Sequence, residues 1–190
     1  MHRVLALTVA TTSSSVKRTG RRSEYGADMA PITVEDLTVD FRHLDQHALL
    51  ADWEWRIGTH RLPIMISFIG DAFVQDVRDG TVHRLDPAFA ELEQVAASPE
   101  ELATLLADRE FVTEHLLPQL FSDLRDAGKT LKPGQVFSWR TPPMLGGEGT
   151  VDNLEATDIA VHFSLTGQLQ RQIAELPEGT PISRIRIEDP

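Results

Sequence analysis

Seven histidines and no cysteine stand in this chain of 190 residues. An imidazole can ligate a metal or pass a proton near neutral pH, so its neighbours decide what each could do. His43 and His47 are four residues apart, a spacing that on a helix sets both rings on one side and could hold a metal. Asp45 between them has the character of a helix cap, which leaves His43 ahead of the helix and both rings solvated. His162 follows Asp158 by four residues. Read as a strand, Asp158 to Phe163 turns Ile159, Val161 and Phe163 to one face and Ala160, His162 and Ser164 to the other. Asp158 and His162 could then form a histidine–carboxylate pair, and the plainer role for His162 is a structural hydrogen bond to a loop.

Other chemistries leave partial signatures. Met144-Leu145-Gly146-Gly147-Glu148-Gly149-Thr150 is a glycine-rich loop, but it lacks the Gly-Lys-Ser/Thr ending of a phosphate loop and puts Glu148 where a phosphate would sit. Asp71, Asp76 and Asp79 alternate with Gly70 and Gly80 without EF-hand spacing or its terminal Glu, and read as turn formers. No serine stands in a Gly-x-Ser-x-Gly elbow. The absence of cysteine removes disulfides, thiolate nucleophiles, cysteine zinc sites and iron–sulfur clusters together. These observations point to no metal, no cofactor and no catalytic residues. The alternative is a small enzyme or ligand-binding protein using the Gly146–Thr150 loop with Asp158 and His162.

The elements that would position these residues are legible in outline. Asp45 caps a helix running to about Ile57 and stopping at Gly58, with Leu44 and Leu49 placed for a hydrophobic staple. Three β-type runs follow, at 63–69, 72–77 and 81–85, separated by Gly70-Asp71 and Arg78-Asp79-Gly80, which is the pattern of a meander. The first is apolar on both faces and reads as central. The second alternates Phe73 and Val77 with Val74 and Asp76, as a less buried strand. Residues 90–96 fit a strand or a short helix. Ser98-Pro99-Glu100-Glu101 is a capping box with proline at the first helical position. A helical segment from about Asp108 carries Leu116, Leu117, Leu120, Phe121 and Leu124 on a stripe, is broken or kinked by Pro118, and ends at Gly128. Residues 135–139 read as a strand, 140–150 as a loop, 151–157 as a short helical turn and 158–163 as a strand. Leu165, Leu169 and Ile173 mark a helix, and 182–187 a last strand carrying Arg184 and Arg186. Strands in runs with helices between and no regular βαβ repeat predict one α+β domain, a mostly antiparallel sheet with helices packed against it.

Charge divides the chain. The formal net charge is −11, from 29 acidic and 18 basic residues. Residues 1–28 hold five bases and two acids, a net +3, which leaves −14 for residues 29–190. Residues 1–28 read as an N-terminal arm, disordered or preceding a true start at Met29, and 29–190 as the folded unit. The apolar part of the arm is only seven residues long, with its basic cluster after it, unlike a secretory signal. The longest apolar run, Leu62 to Ile69, is far short of the ~20 residues that cross a bilayer. Between Asp71 and Glu114 lie eleven acids, three arginines and no lysine. Such a surface would repel a nucleic-acid backbone and steer a cationic partner. Asp71, Asp76, Asp79, Glu91 and Glu93 are the candidate partner-binding residues, and the expected compartment is the cytoplasm.

The stretch from Phe137-Ser138-Trp139-Arg140 through Gly146-Gly147, Asn153-Leu154 and Asp158 to Val161-His162, followed by Gln168, resembles a bacterial family associated with the C-terminal domain of type VI secretion immunity proteins. Asp52-Trp53-x-Trp55-x-Ile57-Gly58, Gly70-Asp71-x-Phe73 and Asp79-Gly80-x-Val82-x-x-Leu85-Asp86 look similar too, extending the resemblance over about Val34 to Ile187. It implies a non-enzymatic protein that binds and neutralises a cognate toxin, such as a DNase, and singles out Gly146, Gly147, Asn153, Asp158, His162 and Gln168. Members often carry an additional N-terminal domain, in whose place this chain has the 28-residue arm.

Overall fold

The computed structural model describes residues 31–177 and 185–187. The arm and Arg184 lie outside the described residues. Asp45 does cap the first helix, its carboxylate accepting from the N–H groups of His47 at 3.0 Å and Ala48 at 3.3 Å. The expected single helix is divided into α1 (Gln46–Leu49), a 3-10 turn (Ala51–Trp53) and α2 (Glu54–Ile57), before Gly58 ends it at φ 72°. The interruption falls where Trp53 enters the core, fully buried, and where Asp52 meets a later helix.

Four strands then form an antiparallel meander in the order β1-β2-β3-β4: β1 (Arg61–Ile66), β2 (Ala72–Asp76), β3 (Val82–Asp86) and β4 (Glu91–Ala96). Residues 91–96 are thus strand. Two expectations are corrected. The first run is an edge strand, and Pro63 carries the reason: it has no N–H for a ladder bond and sits where the β1–β2 register shifts. The second run is the most buried of the four. Ala72 and Val74 pack with Trp53, Ile66, Leu85 and Phe163, whereas Phe73 packs into another cluster with Phe68, Leu102, Leu116, Leu124 and Phe137. A strand covered on both sides is apolar on both faces, so alternation misjudges it.

The helical middle follows its caps. Ser98 Oγ accepts the Glu101 N–H at 3.2 Å, and Glu101 reaches back to the Ala97 N–H, opening α3 (Pro99–Leu105). Asp108 caps α4 (Arg109–Leu116), and Pro118 opens α5 (Pro118–Asp126). Between them Leu117 is left-handed, φ 46° and ψ 54°, because a residue preceding proline is barred from helical backbone.

β5 (Gln135–Trp139) pairs antiparallel with β6 (Leu154–Asp158), and α6 (Ile159–Ala174) follows without a gap. This overturns the assignment of 158–163 as strand and narrows the helical turn at 151–157 to Val151–Asn153. Asp158 is the N-cap of α6, accepting from Ala160 at 2.9 Å and Val161 at 3.3 Å. Ile159 and Phe163, four apart, both reach the core, so the run has helical rather than strand period. Of the expected last strand, residues 182–184 lie outside the described residues. Residues 185–187 are irregular, and Arg186 exchanges backbone hydrogen bonds with the Gln172 side chain. The arrangement is α+β, a four-stranded and a two-stranded antiparallel sheet with helices against them. Among the described residues no helix is long and apolar enough to cross a membrane.

Candidate functional site

The residues singled out by the resemblance hold the fold together. Asn153 donates from Nδ2 to the carbonyls of Thr141 at 2.8 Å and Glu148 at 2.9 Å, and its Oδ1 accepts the Thr141 N–H at 3.0 Å. Three bonds from one amide pin the glycine-rich loop. Gly147 is pressed against Thr141 so closely that a Cβ would overlap its carbonyl group. Gly146 closes a 3-10 turn (Pro143–Leu145) in left-handed conformation. Gln168 Nε2 donates to Ser164 Oγ at 3.1 Å, and Ser164 donates to Asp52 at 2.6 Å. One turn on, Gly167 lets α6 meet the Asp52 backbone, where a Cβ would stand 2.7 Å from its carbonyl oxygen. This contact explains the Asp52-Trp53 motif and the broken first helix.

His162 is buried on α6 beneath Gly70, with Nδ1 3.0 Å from Ser138 Oγ and its ring edge-on to Phe163. Burial pulls its pKa down to about 4, with a smaller opposing pull from the Gly70 backbone, and Nε2 makes no hydrogen bond of acceptable geometry. Asp158 is engaged as a helix cap and not with His162. A hydroxyl–imidazole pair is present, but an imidazole held neutral to about pH 4 is a poor general base at pH 7. The Gly146–Thr150 loop lines a separate, shallow depression with Asn153 and Arg140, without His162 or Asp158. The three parts of the alternative constellation therefore do not converge. His43 and His47 are both exposed, and among the described residues no three acidic or imidazole side chains are grouped as metal ligands.

A small pocket of about 120 Å³ does assemble, at the junction of the meander with β5 and α6. Ile69 and Asp71 enter it from the β1–β2 turn, Arg84 and Asp86 from β3, and Phe89 from the β3–β4 turn. Ser138 and Trp139 close it from β5, and His162, Thr166 and Gln170 from α6. Gln170 fixes the wall, its Nε2 donating to the carbonyls of Pro87 at 3.2 Å and Ala88 at 2.6 Å. Beside it Arg84 gathers carboxylates. Nε and Nη2 donate to Asp71 Oδ2 at 3.0 and 2.8 Å, Nη1 donates to Glu93 at 3.1 Å, and Asp86 stands 3.5 Å from Nη2. Burial pushes the Asp71 carboxyl up to about 7 against the pull of Arg84. His115, 3.5 Å from Glu93, is shifted down by burial and then by Arg84.

The predicted acidic residues thus part company. Asp71 and Glu93 converge on Arg84, with Glu91 exposed beside them, paired in register with Asp86. Asp76 and Asp79 lie at the other end of the sheet. Asp76 is fully buried, held below the usual carboxylate range by Arg78, with Arg61 at 3.5 Å. Asp79 accepts from the Thr81 hydroxyl and N–H, the turn-forming role expected of it. Of the candidate partner-binding residues, Asp71 and Asp76 are interior, each paired with an arginine of the same hairpin. Arg84, Phe89, Thr166 and Gln170 escaped the sequence reading, and Ser138 and Trp139 entered it only within the stretch that carries the resemblance. The one available signal was Arg84, the only cation between Arg78 and Arg109.

The motif residues are thus spent on structure, and the pocket beside them is small and lined by aromatic side chains and carboxylates. Residues 96–170, from the end of β4 into α6, match the model of the family described as T6SS immunity protein Tdi1, C-terminal, the family that the motifs resemble. The matched segment is narrower than the resemblance and supplies the β5 and α6 walls of the pocket. Among solved structures, the crystal structure of Atu4351 from Agrobacterium tumefaciens is 17% identical with a TM-score of 0.48, over 66% of this chain and 65% of that one. The chain therefore spans slightly less than two thirds of that structure. No curated protein matches it.

Proposed function

We propose that this chain is a type VI secretion immunity-type protein that acts in the cytoplasm by binding a cognate toxin, without catalysis of its own. The match of residues 96–170 to the immunity family carries the reading. Its chemistry supports it: Glu91, Glu93, Glu100, Glu110 and Glu114 are exposed on β4, α3 and α4, with Arg109 the one base in the same stretch, residues 91–114. Acids so placed would attract the cationic nucleic-acid face of a DNase and keep nucleic acid away. Binding there would block such a toxin by occlusion.

The test is co-expression with the product of a neighbouring toxin gene, scored by survival and by complex formation between purified proteins. Protection with a stable complex is expected, and absence of both would overturn the reading. Replacing Glu91 and Glu114 by lysine should slow association by tenfold or more at low salt and flatten its salt dependence. An unchanged on-rate would remove this surface from the interface.

A further inference from the structure

The pocket beside Arg84 is too small for a nucleotide or another typical small ligand, whose sites run to roughly 300–1,000 Å³. At about 120 Å³ it has room for one side chain. Its charge is decided by who already holds Arg84. Three of the five guanidinium N–H groups are given to Asp71 and Glu93 and Asp86 stands 3.5 Å from Nη2, so an entering anion would meet three acids around one cation that is already engaged. Both bonds from Arg84 to Asp71 end on Oδ2, and Oδ1 accepts none from the described residues although the residue is only 5% exposed. Asp86 and Glu93 against one guanidinium, with Asp71 pushed up to about 7 by burial and His115 beside Glu93 favouring its neutral form, leave the site negative. Its walls are apolar, Leu169 and Trp139 within and Phe89 half exposed at the mouth. Gln170 holds the turn carrying Phe89, so the shape exists before anything binds.

We propose that this pocket receives a single lysine or arginine side chain from the partner protein, its cationic head against Asp71 and Asp86 and its stem between Trp139 and Phe89. The proposal rests on the immunity reading for the partner's identity but not for the pocket's preference. Aromatic faces and carboxylates together select a cation over an isosteric neutral group. Burying the head displaces little water from an enclosed site, so one residue can serve as an anchor for a wider acidic interface.

The absence of cysteine permits a direct test. In the full-length protein, Phe89→Cys places one thiol at the mouth, and Val77→Cys, 60% exposed at the other end of the sheet, is the control. Each is equilibrated with the symmetric disulfides of cysteamine, 2-mercaptoethanol and 3-mercaptopropionate at equal concentration together with the corresponding thiols, so that the Cys thiolate displaces one thiol from a disulfide, and the mixed disulfides are counted by intact mass. At position 89 cysteamine should exceed 2-mercaptoethanol by about tenfold, against about twofold at position 77 from the general acidity. Asp86→Asn or Asp71→Asn in the Phe89→Cys background should cut the preference at least threefold. Should the Asp71 variant not fold, the more peripheral Asp86 carries the comparison. Equal preference at the two positions, a preference for the neutral thiol, or a preference for the anionic one would each overturn the proposal. Cation preference without protection from any neighbouring toxin would uphold the pocket and remove the immunity reading. Protection without cation preference would do the reverse.

Discussion

Gly70→Ala should be among the most damaging single-methyl changes this protein can suffer, and the structure says how much of the damage belongs to His162. Gly70 has φ 90°, a conformation that costs a residue with a Cβ about 1–3 kcal/mol. The added methyl would also stand 2.7 Å from His162 Cε1 and 2.8 Å from Cδ2, closer than carbon atoms approach, with Nε2 nearer still. The imidazole cannot yield cheaply, being 3% exposed, hydrogen-bonded to Ser138 and packed on Phe163. Expelling it forfeits packing comparable to a large-to-small core change, about 2–4 kcal/mol. The sum, roughly 3–7 kcal/mol, approaches the whole stability of a domain this size. His162→Ala alone should cost about 2–4 kcal/mol. The double variant keeps the backbone strain but loses the collision, and its new methyl enters the space the ring vacated. It should therefore be about 2–4 kcal/mol more stable than additivity predicts. Urea unfolding followed by the fluorescence of Trp53, Trp55 and Trp139 gives all four corners of the cycle. If Gly70→Ala is unfolded in buffer, recovery of a cooperative transition on adding His162→Ala makes the same point. Additivity within about 0.5 kcal/mol would refute the reasoning, because it would mean that glycine at 70 serves the backbone alone.

Four further outcomes follow from the same structure. His162, held at about 4 when folded against 6.5 ordinarily, stabilises the protein in its neutral form. That contribution is complete above pH 6.5 and is lost as pH falls towards 4, about 3 kcal/mol in total, so the advantage of the wild type over His162→Gln should grow between pH 4.5 and 6.5. A constant gap in urea midpoints across that interval would contradict it. Asp71 has the opposite sign, its raised folded pKa making its contribution greatest below 3.8 and lost as pH rises through 7, which flattens the wild-type profile between the two. Asn153→Ala removes three loop hydrogen bonds, and should cost about 1–3 kcal/mol and speed amide exchange at Thr141, with exchange in α3 unchanged. Ser98→Ala should lower stability by about 1 kcal/mol through loss of the α3 cap, with Ser98→Gly nearer the wild type.

What the residues disclosed beforehand was set by the range of the interactions involved. Caps and turns are local, and Asp45, Ser98, Asp108, Pro118, Gly58 and Gly128 marked their boundaries correctly. Strand order is not local. The first run looked central because it is apolar, yet Pro63 had already assigned it to an edge, and β2 looked half-buried because its two faces serve different cores. The error at 158–163 has another origin: six residues of mixed apolar and small side chains carry too short a pattern to separate a period of 2 from one of 3.6. Asp158, which the alternative reading pairs with His162, is the cap that decides it.

The pocket was the least legible feature, for a reason that also bears on how the family motif should be read. Its walls come from segments up to about a hundred residues apart, and no spacing connects Asp71 with Gln170. Motif residues were visible because they obey local rules, and they turn out to do local work: Asn153 pins a loop, Asp158 starts a helix, and Gly147 clears a carbonyl. His162 belongs to both groups, since its contact with Gly70 sets α6 against the β1–β2 turn that carries Asp71. A side chain that stands half exposed at the pocket's mouth, such as Phe89, is free of that architectural duty. A protein that must fit one toxin and not another could change such a side chain while keeping the frame, because specificity needs differences at the contact and constancy behind it. Exchanging Phe89 for a smaller apolar residue should accordingly leave folding within about 1 kcal/mol of the wild type while shifting partner affinity. A loss of stability beyond about 2 kcal/mol would instead place Phe89 in the frame.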